Sequence, residues 1–266
     1  MELKEQNWKN FCAQNLRELP GLWTGYSPQG ELFGSFQLLR SFQSNKEQTE
    51  ITHTSRYTFA DGRTEEQAWQ FNKQSSNLPD GLVHPEKPSM RSFFFDQGAS
   101  ASAVKQLETG LPCRIQLGFK HEDLVGSVVI FYDERGSLMR TVCIRLDAAG
   151  FPSKYWSTEL NLLPERNLSG NWQGTSVTMT PDLKVSPAVS TQLHWPWEGN
   201  ETFFFPDGIS LSCPSQVSSG TNFTIAANWL VTSSDLQQLI VKYDDSGAFS
   251  SVTFEQFHLP DAVGAS

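Results

Sequence analysis

Leu19-Pro20-Gly21-Leu22-Trp23-Thr24-Gly25 returns later in the chain as Leu168-Ser169-Gly170-Asn171-Trp172-Gln173-Gly174, displaced by 149 positions. Two further echoes follow in the same order. Ser92-Phe93-Phe94-Phe95-Asp96-Gln97-Gly98 matches Thr202-Phe203-Phe204-Phe205-Pro206-Asp207-Gly208 at 110, and Val129 to Gly136 matches Ile240 to Gly247 at 111. Each match alone is weak, but their common order and the near-equal later offsets indicate an internal duplication. The fall from 149 to about 110 gives the first copy ~40 additional residues, the length of three or four short strands with turns. The expected division lies near Pro164-Glu165-Arg166-Asn167, with a larger unit over 1–163 and a smaller one over 164–266.

Each copy reads as consecutive short strands. Over 51–59, Ile51, His53, Ser55, Tyr57 and Phe59 alternate with Thr52, Thr54, Arg56 and Thr58, the period of a half-buried strand. Asp61-Gly62 then predicts a hairpin into a strand ending Trp69-Gln70-Phe71. Tyr132-Asp133-Glu134-Arg135-Gly136 predicts a type I turn, with Asp bonding local backbone and Gly closing it at positive φ. Tyr243 to Gly247 repeats that design. A helix is expected over Glu2–Leu16, where Leu3, Trp8, Phe11, Cys12 and Leu16 recur at helical spacing, and 97–109 is a second, shorter helical candidate. Many strands joined by tight turns predict an all-β, meander-type barrel architecture.

Composition limits the function. The 266 residues carry 20 Lys and Arg against 29 Asp and Glu, a formal charge of −9, so no chain-wide basic footprint for nucleic acid exists. Charged residues are only 18%, against helical bundles, while 8 Trp and 19 Phe are too many for a disordered chain. No apolar run reaches the ~18 residues of a membrane span. The N-terminus Met1-Glu2-Leu3-Lys4 lacks the apolar stretch of a secretory leader, so an intracellular, cytoplasmic protein is expected. Cys12, Cys113, Cys143 and Cys213 are scattered, which predicts buried free thiols, not a zinc site or disulfide framework. No cofactor motif, nucleophile elbow or phosphate loop is present, and Glu65-Glu66 face opposite sides of a strand.

A duplicated Gly-x-Trp-x-Gly at the start of a meander, Gly21 with Trp23 and Gly170 with Trp172, resembles the lipocalin/calycin superfamily. Together with the N-terminal helix and with Pro79-Asp80-Gly81-Leu82-Val83-His84-Pro85 through Met90-Arg91-Ser92-Phe93, the chain resembles a two-barrel calycin family of unknown function from cyanobacteria and chloroplasts. The resemblance implies two tandem antiparallel barrels, the second smaller, with Trp23 and Trp172 plugging closed ends. It also implies pigments as a ligand class, because bilin-attaching lyases share the calycin fold.

A barrel of about eight strands or more can enclose one small ligand. Polar groups within apolar rows are therefore the candidate contacts. Arg40 shares a face with Phe36, Leu38 and Phe42, and Arg91 shares one with Phe93 and Phe95. An inward Arg needs an internal carboxylate, such as Glu50, Glu65 or Glu66, or an anionic ligand. His53, Tyr57 and Trp69 belong to the additional hairpin of copy one, and His84 lies in a Gly- and Pro-punctuated segment where it serves a site or a turn. At most one of Arg140 and Arg145 faces inward. Trp195 and Trp197, two apart with Leu193, read as core of the second barrel or an aromatic platform. The expected function is a carrier for a hydrophobic small molecule, bound through Arg40, His53, Tyr57, Trp69, His84 and Arg91. A calycin-type lyase, isomerase or cyclase, and a ligand-free interaction module with the Phe triplets as contact surface, are the alternatives.

Overall fold

Alternating stretches become strands nearly everywhere they occur. The computed structural model describes residues 2–260. After α1 (Leu3–Asn15) come β1 (Glu18–Tyr26), β2 (Leu32–Ser44), β3 (Glu50–Thr58) and β4 (Thr64–Asn72). A single turn, α2 (Lys73–Ser76), leads to β5 (Asn77–Leu78), β6 (Gly81–His84), β7 (Lys87–Phe94) and β8 (Ser100–Val104). Then follow β9 (Cys113–His121), β10 (Leu124–Tyr132) and β11 (Leu138–Asp147). The second sheet uses β12 (Gln173–Met179), β13 (Val189–Gln192), β14 (Glu201–Phe204), β15 (Ile209–Cys213), β16 (Phe223–Leu230), β17 (Asp235–Tyr243) and β18 (Phe249–His258).

Both sheets are antiparallel meanders with one long-range pairing each, β1 on β11 and β12 on β18. The first has 11 strands and the second 7, so the extra length of copy one supplies four strands. The predicted turns form as argued: Asp133 accepts from the backbone N–H of Arg135 and Ser137, Asp244 from those of Ser246 and Ala248, and Gly136 and Gly247 close at φ 77° and 78°. Gly21 has a different reason. A Cβ there would lie 2.0 Å from the Arg145 carbonyl, so glycine lets β1 close onto β11.

The first sheet curls into a nearly closed barrel, open only at the seam between β4 and β5, which are not paired. The helix α1 packs on β5, β6 and β7. Its Asn7, Asn10 and Gln14 amides donate to the carbonyls of Ser92, Phe94 and Phe95, and Asn7 also accepts from the Phe94 N–H. These side chains lie at i, i+3 and i+7, one helix face. They satisfy backbone groups that a full-length neighbouring strand would otherwise satisfy.

The second sheet packs against the outside of the first. Phe93, Phe95, Ala101, Ala103, Ile115, Leu117, Val128, Ile130 and Tyr132 join Phe203, Phe205, Leu211, Ile225, Leu239, Val241, Tyr243 and Phe254 in one core. Contacts across it are reciprocal. The Tyr132 hydroxyl donates to the Pro214 carbonyl and Tyr243 to Val104; the Leu138 N–H donates to the Ser215 carbonyl and Phe249 to Lys105. The Val217 and Leu107 N–H groups reach the Gly136 and Gly247 carbonyls in the same way. Every pair is related by 110 or 111 positions, so the copies face each other as an isologous dimer does.

Several expectations change. The stretch 97–109 contains β8, not a helix: Ala101 and Ala103 alternate into the core, and small side chains let the sheets approach. The second unit is a seven-stranded sheet whose apolar face packs on the first. Its opposite face carries buried Ser210, Ser212, Asn228, Gln238 and Glu255, covered by the chain itself: His194 accepts from Gln238, and the Trp197 N–H donates to Ser212. Trp195 and Trp197 are half-buried in that coil, edge to face at 6.3 Å, and not in a strand. The repeated tryptophans also differ in register. Trp23 pairs with Ile144, whose counterpart Glu255 pairs with Ser176, so Trp172 lies four residues before the equivalent position, just ahead of β12. Trp172 is buried with Leu236 and Phe257, while Trp23 is half-buried, lines the interior of the first sheet and stacks on Phe36 at 4.4 Å.

Candidate functional site

The lumen of the first sheet encloses a cavity of about 510 Å³, within the ordinary range for small-molecule sites. Strand parity decides what enters it. From β2 come Phe36, Leu38, Arg40 and Phe42; from β3, His53, Ser55 and Tyr57; from β4, Gln67, Trp69 and Phe71. The opposite wall brings Ser92, Ser100, Ser102, Arg114, Gln116, Ser127, Phe131 and Arg140. One end is apolar: Phe11 of α1 packs against Phe42, Phe71 and Phe94 at centroid distances of 5.2–6.0 Å.

Five of the six candidate contacts meet in this lumen: Arg40, His53, Tyr57, Trp69 and His84. The His53 ring stacks on Phe42 at 4.0 Å, leans on Trp69 at 4.8 Å and is 3.1 Å from the Ser55 hydroxyl. His84 lines the lumen and also makes a local turn hydrogen bond. Its ring lies edge-on to Trp69 and Phe71, and its Nδ1 accepts from the Glu86 N–H. The Tyr57 hydroxyl reaches Gln67 at 3.4 Å.

Arg91 is elsewhere. It shares parity with Phe93 and Phe95, and that face meets the second sheet, while Met90, Ser92 and Phe94 face the lumen. Its Nε donates to Asp80 at 2.9 Å and its Nη1 to the Pro88 and Met90 carbonyls. In a barrel packed on both sides, an apolar row does not by itself identify the lumen face. Of the other ambiguous pair, Arg140 lines the lumen. Arg145, 1% exposed, points between the sheets, where Asp207 and the Ser157 and Glu159 carbonyls hold it.

Sequence reasoning missed Arg114 and Lys87. Arg114, Phe131 and Arg140 form one cross-strand row, with guanidinium carbons 5.3 and 4.4 Å from the Phe131 centroid. The alternation Arg114, Gln116, Gly118 against Ile115, Leu117, Phe119 was the available signal. With Arg40 and Lys120, the described residues give the lumen five cations and a single carboxylate, Glu86. Among the described residues, no carboxylate forms an ion pair with Arg40, Lys87, Arg114 or Arg140. The Nε atoms of Arg114 and Arg140, the Trp69 indole N–H and the Ser127 hydroxyl are buried without partners among the described residues. Glu50, Glu65 and Glu66 do not serve this site: Glu66 pairs with Arg56 and Glu65 with Arg63.

Protonation follows from burial and the clustered positive charge. Burial, then the charge of Arg114, brings Lys87 down to about 8. Arg40 falls to about 10, chiefly through burial, with Arg114 adding to the effect and Tyr57 opposing it. Burial and the Arg140 charge also lower Arg114. His84 falls to about 4, through burial and then Lys87 and Arg114, and His53 to about 2, through burial and then Arg40. Both imidazoles are thus neutral near pH 7, and the cationic side chains of the lumen are Arg40, Lys87, Arg114, Lys120 and Arg140. The four cysteines are buried free thiols, and burial pushes Cys113, Cys143 and Cys213 up to about 12, which removes them as nucleophiles. No group of three His, Cys, Asp or Glu suited to a metal occurs among the described residues, and none of their helices is long and apolar enough to cross a membrane.

Residues 4–151 match the family described as Domain of unknown function (DUF3598), N-terminal. Residues 197–257 match the C-terminal domain of Biogenesis factor required for ATP synthase 1. No curated protein matches the chain. Among solved structures, a DUF3598-family protein of unknown function from Nostoc punctiforme PCC 73102 is similar at a TM-score of 0.75 and 20% identity, over 96% of this chain and 99% of that one. That likeness shows the fold. Odorant Binding Protein OBP1 aligns over 53% of this chain and 74% of its own, at 12% identity and a TM-score of 0.26, and carries no argument.

Proposed function

The chain belongs to the DUF3598 family, and we propose that it binds an apolar small molecule bearing an acidic group inside the lumen of the first sheet. One observation carries the reading: arginines without carboxylate partners share an enclosed cavity with an aromatic floor. Desolvating such cations costs several kcal/mol unless a counter-charge meets them. A ligand acid on the forks of Arg114 and Arg140 supplies it, and the apolar body then runs toward Phe11, Phe42 and Phe71. His53, Trp69 and Tyr57 act as wall contacts, and His84 as a neutral donor.

Displacement of a lumen-bound fluorescent probe tests this. Dodecanoic acid is expected to bind more than about tenfold tighter than dodecanol, the value of one charge-assisted hydrogen bond. Arg140→Gln should remove that advantage and leave dodecanol unchanged. Equal affinity for acid and alcohol in the unmodified protein rules the reading out.

The match of 197–257 to a domain named for ATP synthase biogenesis favours a second reading, in which the second sheet serves assembly of another protein. Purified ATP synthase subunits should then be retained by the immobilised chain, and their failure to bind removes it.

A further inference from the structure

We infer that the acidic group taken into this lumen is a dianion, a phosphate monoester or a paired dicarboxylate on an apolar body. The inference rests on the preceding reading and narrows its ligand class. Arg114 and Arg140 come from strands on either side of β10 and lie over the same Phe131 ring, so two planar forks are offered at one place. Each keeps a buried Nε without a partner. Lys87 and Arg40 line the same cavity, again without an ion pair among the described residues, and Glu86 is the lumen's one carboxylate.

A single carboxylate can engage one guanidinium fork in bidentate fashion and leaves the remaining cations repelling one another at low effective dielectric. Three phosphate oxygens, or two adjacent carboxylates, match two forks and a lysine together. The charge dependence of the neighbours agrees: Arg140 depresses Arg114, and Arg114 depresses both Arg40 and Lys87, so these groups feel one another across the lumen. Trp69 and His53 line the same cavity of about 510 Å³, beside which an apolar body lies.

Dodecyl phosphate, its methyl diester, dodecylmalonate, dodecanoic acid and dodecanol are compared by probe displacement on the full chain at pH 7.5. Dodecyl phosphate is a dianion and its methyl diester a monoanion of similar shape. Dodecyl phosphate or dodecylmalonate should bind at least about tenfold tighter than dodecanoic acid and the methyl diester, and whichever wins tells a phosphate from a dicarboxylate. Lowering the pH to 5 should erase the advantage of dodecyl phosphate, whose second ionisation lies near pH 6. The protein side does not cause that loss, since His53 and His84 stay neutral and Lys87 gains charge on acidification. Arg40→Gln and Arg140→Gln should each shrink the dianion advantage by about tenfold, with unchanged far-ultraviolet circular dichroism and a cooperative thermal transition certifying the fold of the variants. Dianions and monoanions binding within about twofold of each other, both ahead of dodecanol, overturns the dianion and leaves the preceding reading intact. No acid binding better than dodecanol overturns both.

Discussion

His53 is held neutral at a cost that appears on acidification. Its ring is packed between Phe42 and Trp69 and feels the Arg40 charge, which together bring it from 6.5 to about 2. The unfolded chain takes up a proton below about pH 6.5 and the folded one does not, so stability present above 6.5 is lost as the pH falls toward 2. His84 adds a similar loss between 6.5 and about 4. Thermal unfolding of His53→Phe, which keeps the stack on Phe42, should therefore lose less stability between pH 7 and pH 4 than the unmodified chain; parallel curves would contradict this. Arg145 offers a second test. Replacing Asp207 by Asn removes the charge that meets a 1%-exposed guanidinium and should cost about 3–5 kcal/mol in denaturant unfolding.

The helix α1 was legible from its apolar spacing, but its polar face does as much. Asn7 both donates to the Ser92 carbonyl and accepts from the Phe94 N–H, as a neighbouring strand would. Asn7→Ala leaves those two groups unpartnered and should destabilise by about 1–3 kcal/mol, with faster hydrogen exchange at the Phe94 amide. An unchanged exchange rate would reduce α1 to an apolar plug. The strands and turns were equally legible, because alternation and Asp-x-x-Gly chemistry are local. The segment 97–109 was not, since Ser-Ala-Ser-Ala has no strong local preference and its pairing with β7 and β9 decides it.

At the scale of the molecule, the duplication became one core shared by two sheets. Phe93 stacks on Phe249 at 4.7 Å, and Tyr132 and Tyr243 each donate into the other copy. Neither sheet can open without exposing this face, so heat should unfold the chain in a single transition by tryptophan fluorescence and by far-ultraviolet circular dichroism alike. Two separated transitions would mean that the shared core contributes little. The Phe triplets fit this arrangement: Phe93 and Phe95 meet the second sheet and Phe94 meets Phe11.

The sequence by itself determined the all-β class, the duplication, the extra strands of the first copy, the turns and five of the side chains that line the lumen. These are written in period-two alternation and in residues that bond their own backbone, which need no distant partner. Only the tertiary structure decided which apolar face is lumen and which is buried between sheets. It thereby sent Arg91 to Asp80 and Arg145 to Asp207, and brought Arg114 and Arg140 together over Phe131. Parity divides a strand into two faces, but over β7–β11 both faces of the first sheet are covered, and what covers each comes from chain far away in sequence.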